Sequence, residues 1–469
     1  MAKPKRDLKD WLEELVAGSF FLRHRHHCDT PTHPSPTDGF IQAFDFAELK
    51  GKLYFRGINS EDSGDELYRL SPHSATAALI DIFPGVGSSF PTDLTTFKGK
   101  LYFFATTEDT GAELFRLSPH SNTPTVVDIV PGPDGSSPLE FTEVKGNLYF
   151  TATTEEAGTE LFRLSPHSNT PTVIEIIPGP GDAQPTDLTK IGNDLYVRGF
   201  TPETGEELYR YSTRTGAITL FDIEPGPGSS HPAEFTAFKD DVYFTTLTAE
   251  AGSEMYRLSG STDELMLIDI NEGPELAFPG GLTVFDDFLY FSGFTEETGN
   301  DLFRLSPGSI TPESIEVAPG PTWSSPFSFT PFDHDLYFTA STDETGHELY
   351  RLSPGSNEPV LVADINQGPD ISFPDWFTIV KGDLYFTAFT EEAGTELYRL
   401  ARGSTDPTLI DIVPGEDSSS PAQLTEFKGD LYFDANDPDT GERGFYRFSP
   451  RNDTLTLIEP KAICDVDVI

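Results

Sequence analysis

Several features are scarce in this sequence, and each scarcity narrows the class of protein. No stretch of about 18 apolar residues occurs, so we expect no transmembrane segment. Residues 1–16 are charged throughout and lack the apolar core of a secretory signal peptide. Basic residues are few, with 31 Lys and Arg against 77 Asp and Glu, which gives a formal charge of −46. Because such a field repels phosphate backbones and anionic lipids, we expect no nucleic-acid partner.

Cysteine is almost absent. Cys28 and Cys464 stand near opposite ends of the chain, and a fold that brings its ends together would make them a candidate disulfide. Two unrelated free thiols are the alternative, because the sequence does not identify the redox compartment. His24, His26 and His27 lie beside Cys28, but their spacing does not match the two separated ligand pairs of a structural zinc site. We therefore expect no zinc there.

What the sequence has in abundance is one repeat of 47 or 48 residues. Each of nine copies contains a Leu-Tyr-Phe-like triplet, then a Gly, then a segment that typically reads E-L-Y-R-L. The central residues of the triplets are Tyr54, Tyr102, Tyr149, Tyr196, Tyr243, Tyr290, Tyr337, Tyr385 and Tyr432. The matching arginines are Arg69, Arg116, Arg163, Arg210, Arg257, Arg304, Arg351, Arg399 and Arg447. Repetition at a fixed period indicates one body built from stacked units.

Each unit contains four short strand signals. In the second unit, D-L-T-T-F leads through Lys98-Gly99 into L-Y-F-F-A, and E-L-F-R-L and T-V-V-D-I follow after further turns. The Lys-Gly step suits a tight hairpin, because Gly adopts positive φ without steric cost. The apolar runs are nearly continuous, which is typical of sheets covered on both faces. The pattern predicts an all-β fold, a closed β-propeller of nine four-stranded blades over residues 41–460. An open β-solenoid is the alternative, against which the hairpin turns argue.

The composite S-S-x-P-x-x-L-T-x-F-x-G-x-L-Y-F-x-A-x-x-x-x-x-G-x-E-L-Y resembles the ELWxxDGT, or hyalin-like, repeats of large bacterial proteins. The resemblance covers all nine units. It departs at Trp, which is Tyr or Phe here, and at Asp-Gly-Thr, which is typically Ser-Pro-His or Ser-Pro-Gly. It implies propeller-like blades and a cell-surface or secreted location, and it implies no reaction. A cytoplasmic location is the alternative. Because the third turn departs from the family pattern, the resemblance does not imply that this chain binds a ligand at that turn.

Residues 1–40 and the tail 461–469 lie outside the repeat. Leu8, Trp11, Leu12, Leu15 and Val16 fall at i, i+3, i+4, i+7 and i+8, which predicts one apolar face of a short helix. A Pro- and Thr-rich linker over residues 30–38 tethers this helix to the repeats. The five apolar residues are candidates for binding a partner. A helix folded back to plug the propeller and a membrane-surface anchor are the alternatives.

The arginine in every third strand and the acidic second turns are the charged features of the repeat. A guanidinium packed between sheets requires a carboxylate, so we predict nine structural ion pairs. The Asp that follows the fourth strand, or the Glu three residues before the Arg, is the expected partner. The second turns carry adjacent carboxylates such as Glu108-Asp109. Calcium takes oxygen ligands, but adjacent pairs fit solvated turns better than an ion cage, so we expect no cofactor, with Ca²⁺ as the alternative.

The sameness of the units bears on function. A catalytic site needs a few residues that occur together at one location and not in every unit. No nucleophile elbow, phosphate loop or HExxH motif appears in the sequence. The sequence therefore favours a non-enzymatic scaffold or protein-binding propeller, with a protein partner or self-association. A carbohydrate- or divalent-cation-binding surface protein is the alternative. Lysines concentrate in the first turns and paired carboxylates in the second, so we expect the two faces of the disc to differ in charge.

A deletion tests the predicted role of the N-terminal segment. Because the nine repeats are complete without residues 1–38, their removal is expected to leave the thermal transition nearly unchanged while weakening association with whatever copurifies. Calorimetry and copurification measure the two effects. Unfolding of the repeats on deletion would identify the segment as a plug instead.

Overall fold

The computed structural model describes residues 40–59, 64–85, 87–273, 275–318, 323–368 and 371–461. These residues form 36 β-strands and no helix, so within this part of the chain no helix is available to cross a membrane. The predicted helix containing Leu8 and Val16, and both Cys28 and Cys464, lie outside the described residues. The protein is an all-β propeller, as the period and the turn pattern predicted.

Each repeat supplies four consecutive strands. The first strands are β1 (Phe40–Leu49), β5 (Thr92–Phe97), β9 (Leu139–Val144), β13 (Thr186–Ile191), β17 (Ala233–Phe238), β21 (Gly280–Phe285), β25 (Phe327–Phe332), β29 (Asp375–Val380) and β33 (Ala422–Phe427). The second strands, which contain the tyrosine triplets, are β2 (Lys52–Asn59), β6 (Lys100–Thr107), β10 (Asn147–Thr154), β14 (Asp194–Thr201), β18 (Asp241–Thr248), β22 (Phe288–Thr295), β26 (Asp335–Thr342), β30 (Asp383–Thr390) and β34 (Asp430–Asn436).

The third and fourth strands complete each unit. The third strands, which carry the repeated arginine, are β3 (Asp65–Leu70), β7 (Gly111–Leu117), β11 (Gly158–Leu164), β15 (Gly205–Ser212), β19 (Gly252–Leu258), β23 (Gly299–Leu305), β27 (Gly346–Leu352), β31 (Gly394–Leu400) and β35 (Arg443–Ser449). The fourth strands are β4 (Thr76–Ile80), β8 (Thr125–Val127), β12 (Thr172–Ile174), β16 (Ile218–Phe221), β20 (Leu265–Ile268), β24 (Glu313–Ile315), β28 (Val360–Ala363), β32 (Thr408–Ile410) and β36 (Thr454–Pro460).

Within each unit the four strands pair antiparallel in sequence order. Seven units are separate four-stranded sheets, and the first and ninth units join into one eight-stranded sheet. The joint is a short parallel pairing of β36 with β4, in which Glu459 lies opposite Thr76 and Pro460 opposite Ala77. First strands of successive units contact one another, and β33 also contacts β1.

The core lies between neighbouring sheets, not within any one of them. Tyr54 of the first unit is fully buried and belongs to the same apolar cluster as Leu101 and Phe103 of the second. Because both faces of a sheet are covered in this way, the strands read as continuous apolar runs. The ninth and first units pack by the same rule, with the Phe55 and Phe445 ring centroids 5.0 Å apart.

A buried carboxylate near the start of the third strand holds the connector to the next unit. Glu66 is fully buried and accepts hydrogen bonds from the amides of Ile82 and Ser89, each at 3.0 Å, and from Ser89 Oγ at 2.7 Å. The other units place a buried acid at the same position: Glu113, Glu160, Glu207, Glu254, Asp301, Glu348 and Glu396. The ninth unit has Gly444 at this position.

The repeated arginines contact the next unit, which sequence reasoning did not anticipate. Arg257 donates to the Gly308 carbonyl at 2.7 Å, and Arg447 donates to the Ser74 carbonyl at 3.3 Å. Six of the nine form ion pairs among the described residues, as Arg210 does with Asp263 at 2.5 Å. The predicted partners are wrong: in none of these six pairs is the acid the Glu three residues earlier or the Asp after the fourth strand. That Glu is occupied by backbone amides.

A substitution tests the buried carboxylate. In Glu66→Gln the amide NH₂ would face amide and hydroxyl donors, so we expect a loss of about 3 kcal/mol in the free energy of unfolding, measured as a lower urea midpoint. Glu156→Gln, at an exposed second-turn position, removes the same charge and should leave the midpoint unchanged. Equal midpoints for the two variants would contradict the assigned role.

The pH dependence of stability follows from the same carboxylates. Burial raises the pKa of Glu66, Glu160, Glu254 and Glu348 from 4.5 to about 7, although the hydrogen bonds act in the opposite direction. A raised pKa in the folded state stabilises the fold below the ordinary pKa, and this stabilisation is lost as pH rises through about 7. The melting temperature should therefore fall by several degrees between pH 5 and pH 8.

Repeating this measurement at high salt separates buried from surface charges, because salt screens exposed charges far more than buried ones. The fall should persist in about 0.5 M NaCl. If salt abolished the fall, repulsion among surface carboxylates would be its source.

Candidate functional site

Every first strand carries a β-bulge, and the bulged residues point to the candidate site. In the second unit Thr92 lies opposite Phe104 and Thr95 opposite Tyr102, so two residues face one. The first of these two has a positive φ in every unit, between 55° and 69°. We call these nine positions the bulge ring: Asp45, Asp93, Glu140, Asp187, Glu234, Gly281, Ser328, Trp376 and Gln423. Eight of the nine are not glycine, so each holds a left-handed conformation that costs about 1 kcal/mol or more.

The bulge ring is acidic in five successive units and neutral in the other four. We call Asp45, Asp93, Glu140, Asp187 and Glu234 the acidic arc. Its side chains link neighbouring units, because Asp93 accepts a hydrogen bond from the Glu140 amide at 2.9 Å and Glu140 accepts one from the Leu188 amide at 2.8 Å. The bulges therefore aim carboxylates along the row of first strands.

Two cavities open along this row. The first, of about 490 Å³, is lined by four members of the acidic arc with neighbouring Leu, Phe and Thr side chains. The second, of about 540 Å³, continues past Asp187 and Glu234 to Gly281 and Ser328. The acidic arc is therefore accessible to a ligand over at least five adjacent units.

Two carboxyl groups of the acidic arc, those of Asp45 and Glu140, have a raised pKa to which neighbouring acids contribute. Burial raises the pKa of Asp45, and the nearby Asp93 raises it further, while Arg56 lowers it. Burial also raises the pKa of Glu140, with smaller contributions from Asp187 and Asp93. A cation that entered the cavity would relieve this repulsion.

The arrangement does not fit a single metal ion. Among residues 40–461 as far as the structure describes them, no group of three or more His, Cys, Asp or Glu side chains is placed to hold one. The acidic second turns, as far as they are described, contain no such group either. The charges are spread along the row, and Trp376, 44% exposed on the neutral side of the ring, offers an aromatic face. Such a surface suits an extended organic cation.

The structure separates the predicted site residues from this site. The arginines from Arg69 to Arg447 lie on third strands, away from the bulge ring. The five apolar residues from Leu8 to Val16 lie outside the described residues. The acidic arc was missed, although one signal was available: the first position of the D-L-T-x-F segment is Asp or Glu in the first to fifth units and neutral in the sixth to ninth.

Comparisons with known proteins give no family. No family model matches the chain, and no curated protein matches it. The chain is similar to a structure from a structural and mechanistic analysis of two prolyl endopeptidases, at 14% identity and a TM-score of 0.43, over 75% of this chain and 55% of that one. It is also similar to a puromycin-hydrolyzing peptidase of Mycobacterium tuberculosis, at 11% identity and a TM-score of 0.42, over 89% of this chain and 60% of that one.

Both similar structures are of peptidases, and the chain spans little more than half of each. The predicted function, a non-enzymatic scaffold or protein-binding propeller, is corrected by this finding, and so is the prediction that the chain is not an enzyme. The sameness of the units, on which both predictions depended, does not extend to the bulge ring.

Proposed function

We propose that the nine units close into one nine-bladed propeller whose bulge ring binds an organic cation bearing ammonium or guanidinium groups. The observation that carries the proposal is the acidic arc, in which five successive units place an acidic residue in the lining of two cavities that share Asp187. Among the described residues Arg56 and Arg198 are the cations nearby, the latter 3.4 Å from Asp187, and the rest of the arc has no ion pair with them.

Contacts between the first and ninth units support ring closure. The Ala43 amide donates to both carboxylate oxygens of Asp434, at 3.1 and 3.2 Å. Lys428 Nζ lies 2.5 Å from Glu48 Oε1, and the repeated Arg447 reaches Ser74 across the same junction. With these contacts the bulge ring would surround a single axis, and a ligand on it would meet several units at once.

The ligand's charges need to be spaced along a chain. Neighbouring carboxylates belong to different units, and Asp93, Glu140 and Glu234 each accept a hydrogen bond from an amide of the next unit. A compact ion would neutralise one or two of them, whereas a polyamine or a basic peptide could reach several. The exposed face of Trp376 would contribute a cation–π contact of about 1 kcal/mol.

The test is calorimetric titration with spermidine and, separately, with a short Lys- and Arg-rich peptide. The double variant Glu140→Gln with Asp187→Asn should bind about tenfold more weakly, a loss of about 1.4 kcal/mol. The substitutions fit the backbone, because Gln423 already occupies the same conformation in the ninth unit. Tightest binding of spermidine would identify a free amine as ligand, and tightest binding of the peptide a basic chain.

The matched control is Glu155→Gln with Glu156→Gln, which removes the same net charge from an exposed second turn. Its affinity should change less than about twofold. Equal weakening by both double variants would mean that the cation responds only to net charge, and the proposed site would be wrong. Mass analysis of the peptide after incubation shows whether a bound peptide is also cleaved.

A further inference from the structure

A basic cavity lies at the junction where the ninth unit meets the first and eighth. Its volume is about 620 Å³. Its lining is polar and charged throughout: His73, Lys381, Lys428, Asp430, Arg447, Ser449, Arg451, Asn452 and Thr454. Four permanent cations and one carboxylate meet here in a chain of formal charge −46. We call this the junction cavity.

The repeat provides an internal control for the first-turn lysines. Lys98 lies 2.8 Å from Glu143 of the next unit, and Lys239 lies 2.6 Å from Asp287. Glu426 stands where a partner for Lys381 would be expected, but it accepts the Gly429 amide at 2.7 Å instead. Among the described residues Lys381 therefore has no ion pair, and its ammonium is free for a ligand.

Gly429 contributes to this arrangement. Its φ is +81°, and a side chain there would collide with the methylene stem of Lys381. The absence of a side chain lets Lys381 extend across the first turn of the ninth unit, toward the junction cavity.

Two arginines of the ninth unit complete the basic lining. Arg451 occupies the third-turn position where the first three units have His, and it is exposed with no ion pair among the described residues. Arg447 Nε is buried without a hydrogen-bond partner, 3.8 Å from Asp430 Oδ2. Asp430 is satisfied by His73 at 2.9 Å and by Ser449 Oγ at 2.9 Å. The cavity's carboxylate is thus occupied and Lys428 is paired with Glu48, while Lys381 and Arg451 have no ion pair among the described residues.

We propose that the junction cavity binds a small phosphate-class polyanion, with Lys381 and Arg451 as its principal contacts. A guanidinium presents paired donors that match phosphate oxygens, and a lysine supplies a point charge. With Lys428 paired to Glu48 and Arg447 beside Asp430, Lys381 and Arg451 remain without a counter-charge in the described part of the chain, which favours a multiply charged oxyanion over a monocarboxylate. The site is separate from the acidic arc, so either proposal can fail without the other.

The experiment is calorimetric titration of the full chain with pyrophosphate at physiological salt. Lys381→Gln and Arg451→Gln should each weaken binding about tenfold. Lys98→Gln is the matched control, because it removes the same charge from the same turn of another unit, where the lysine is already paired. It should change the affinity less than about twofold, and melting curves confirm that all variants fold.

Three results would overturn the proposal. The first is absence of pyrophosphate binding at millimolar concentration. The second is equal weakening by Lys98→Gln and Lys381→Gln, which would assign the effect to overall charge. The third is tighter binding of citrate than of pyrophosphate, which would replace the phosphate class by a polycarboxylate.

Discussion

The fold depends on a carboxylate that is buried where each unit passes the chain to the next. Burying a charge costs several kcal/mol unless hydrogen bonds replace its hydration. Glu66 meets this condition with amide and hydroxyl donors from the connector that leads to the second unit. The connector, which is rich in Gly and Pro and has few partners of its own, thereby acquires a fixed path. Seven further units repeat the arrangement, and the ninth has Gly444 at the matching position.

The position of the bulge ring follows from that fixed path. The Ser89 amide donates to the Asp65 carbonyl, and the Ser89 carbonyl accepts from the Thr106 amide, so the end of the connector is held by the units on both sides. The bulge at Asp93 comes four residues later. Because a bulge re-aims the side chain that it carries, we infer that the anchored connector helps to set the direction of the Asp93 carboxylate. The buried Glu66 and the bulge residue Asp93 are thus linked through the connector that lies between them.

Sequence reasoning reached the all-β class, the four strands of each unit and their order, because these depend on local patterns of apolar residues and turns. It did not predict the bulges, because D-L-T-T-F has the pattern of a regular strand and the positive φ of Asp93 is not indicated by the residue type. It also assigned the Glu before each Arg to that Arg. The partners of Glu66 are backbone amides, which every residue possesses, and the partner of Arg257 is a carbonyl 51 residues away. Neither contact has a sequence signature, because each depends on how neighbouring units pack; Arg257 has an ion pair as well, with Asp241 of its own unit.

Information about function therefore lies in the positions where the units differ. A column that packs between sheets, such as that of Tyr54, is the same in every unit because every junction imposes the same shape. The bulge ring carries no such constraint on residue type, since the conformation accepts Asp, Glu, Ser, Gln, Trp and Gly alike. Its division into five acidic and four neutral units is then not explained by folding. The same reasoning applies to Lys381, which shares a turn with Lys98 but lacks its partner. In a repeat protein, some positions are not constrained by folding to one residue type. Where the residue type at such a position is shared by several successive units and differs in the others, asymmetric binding can arise.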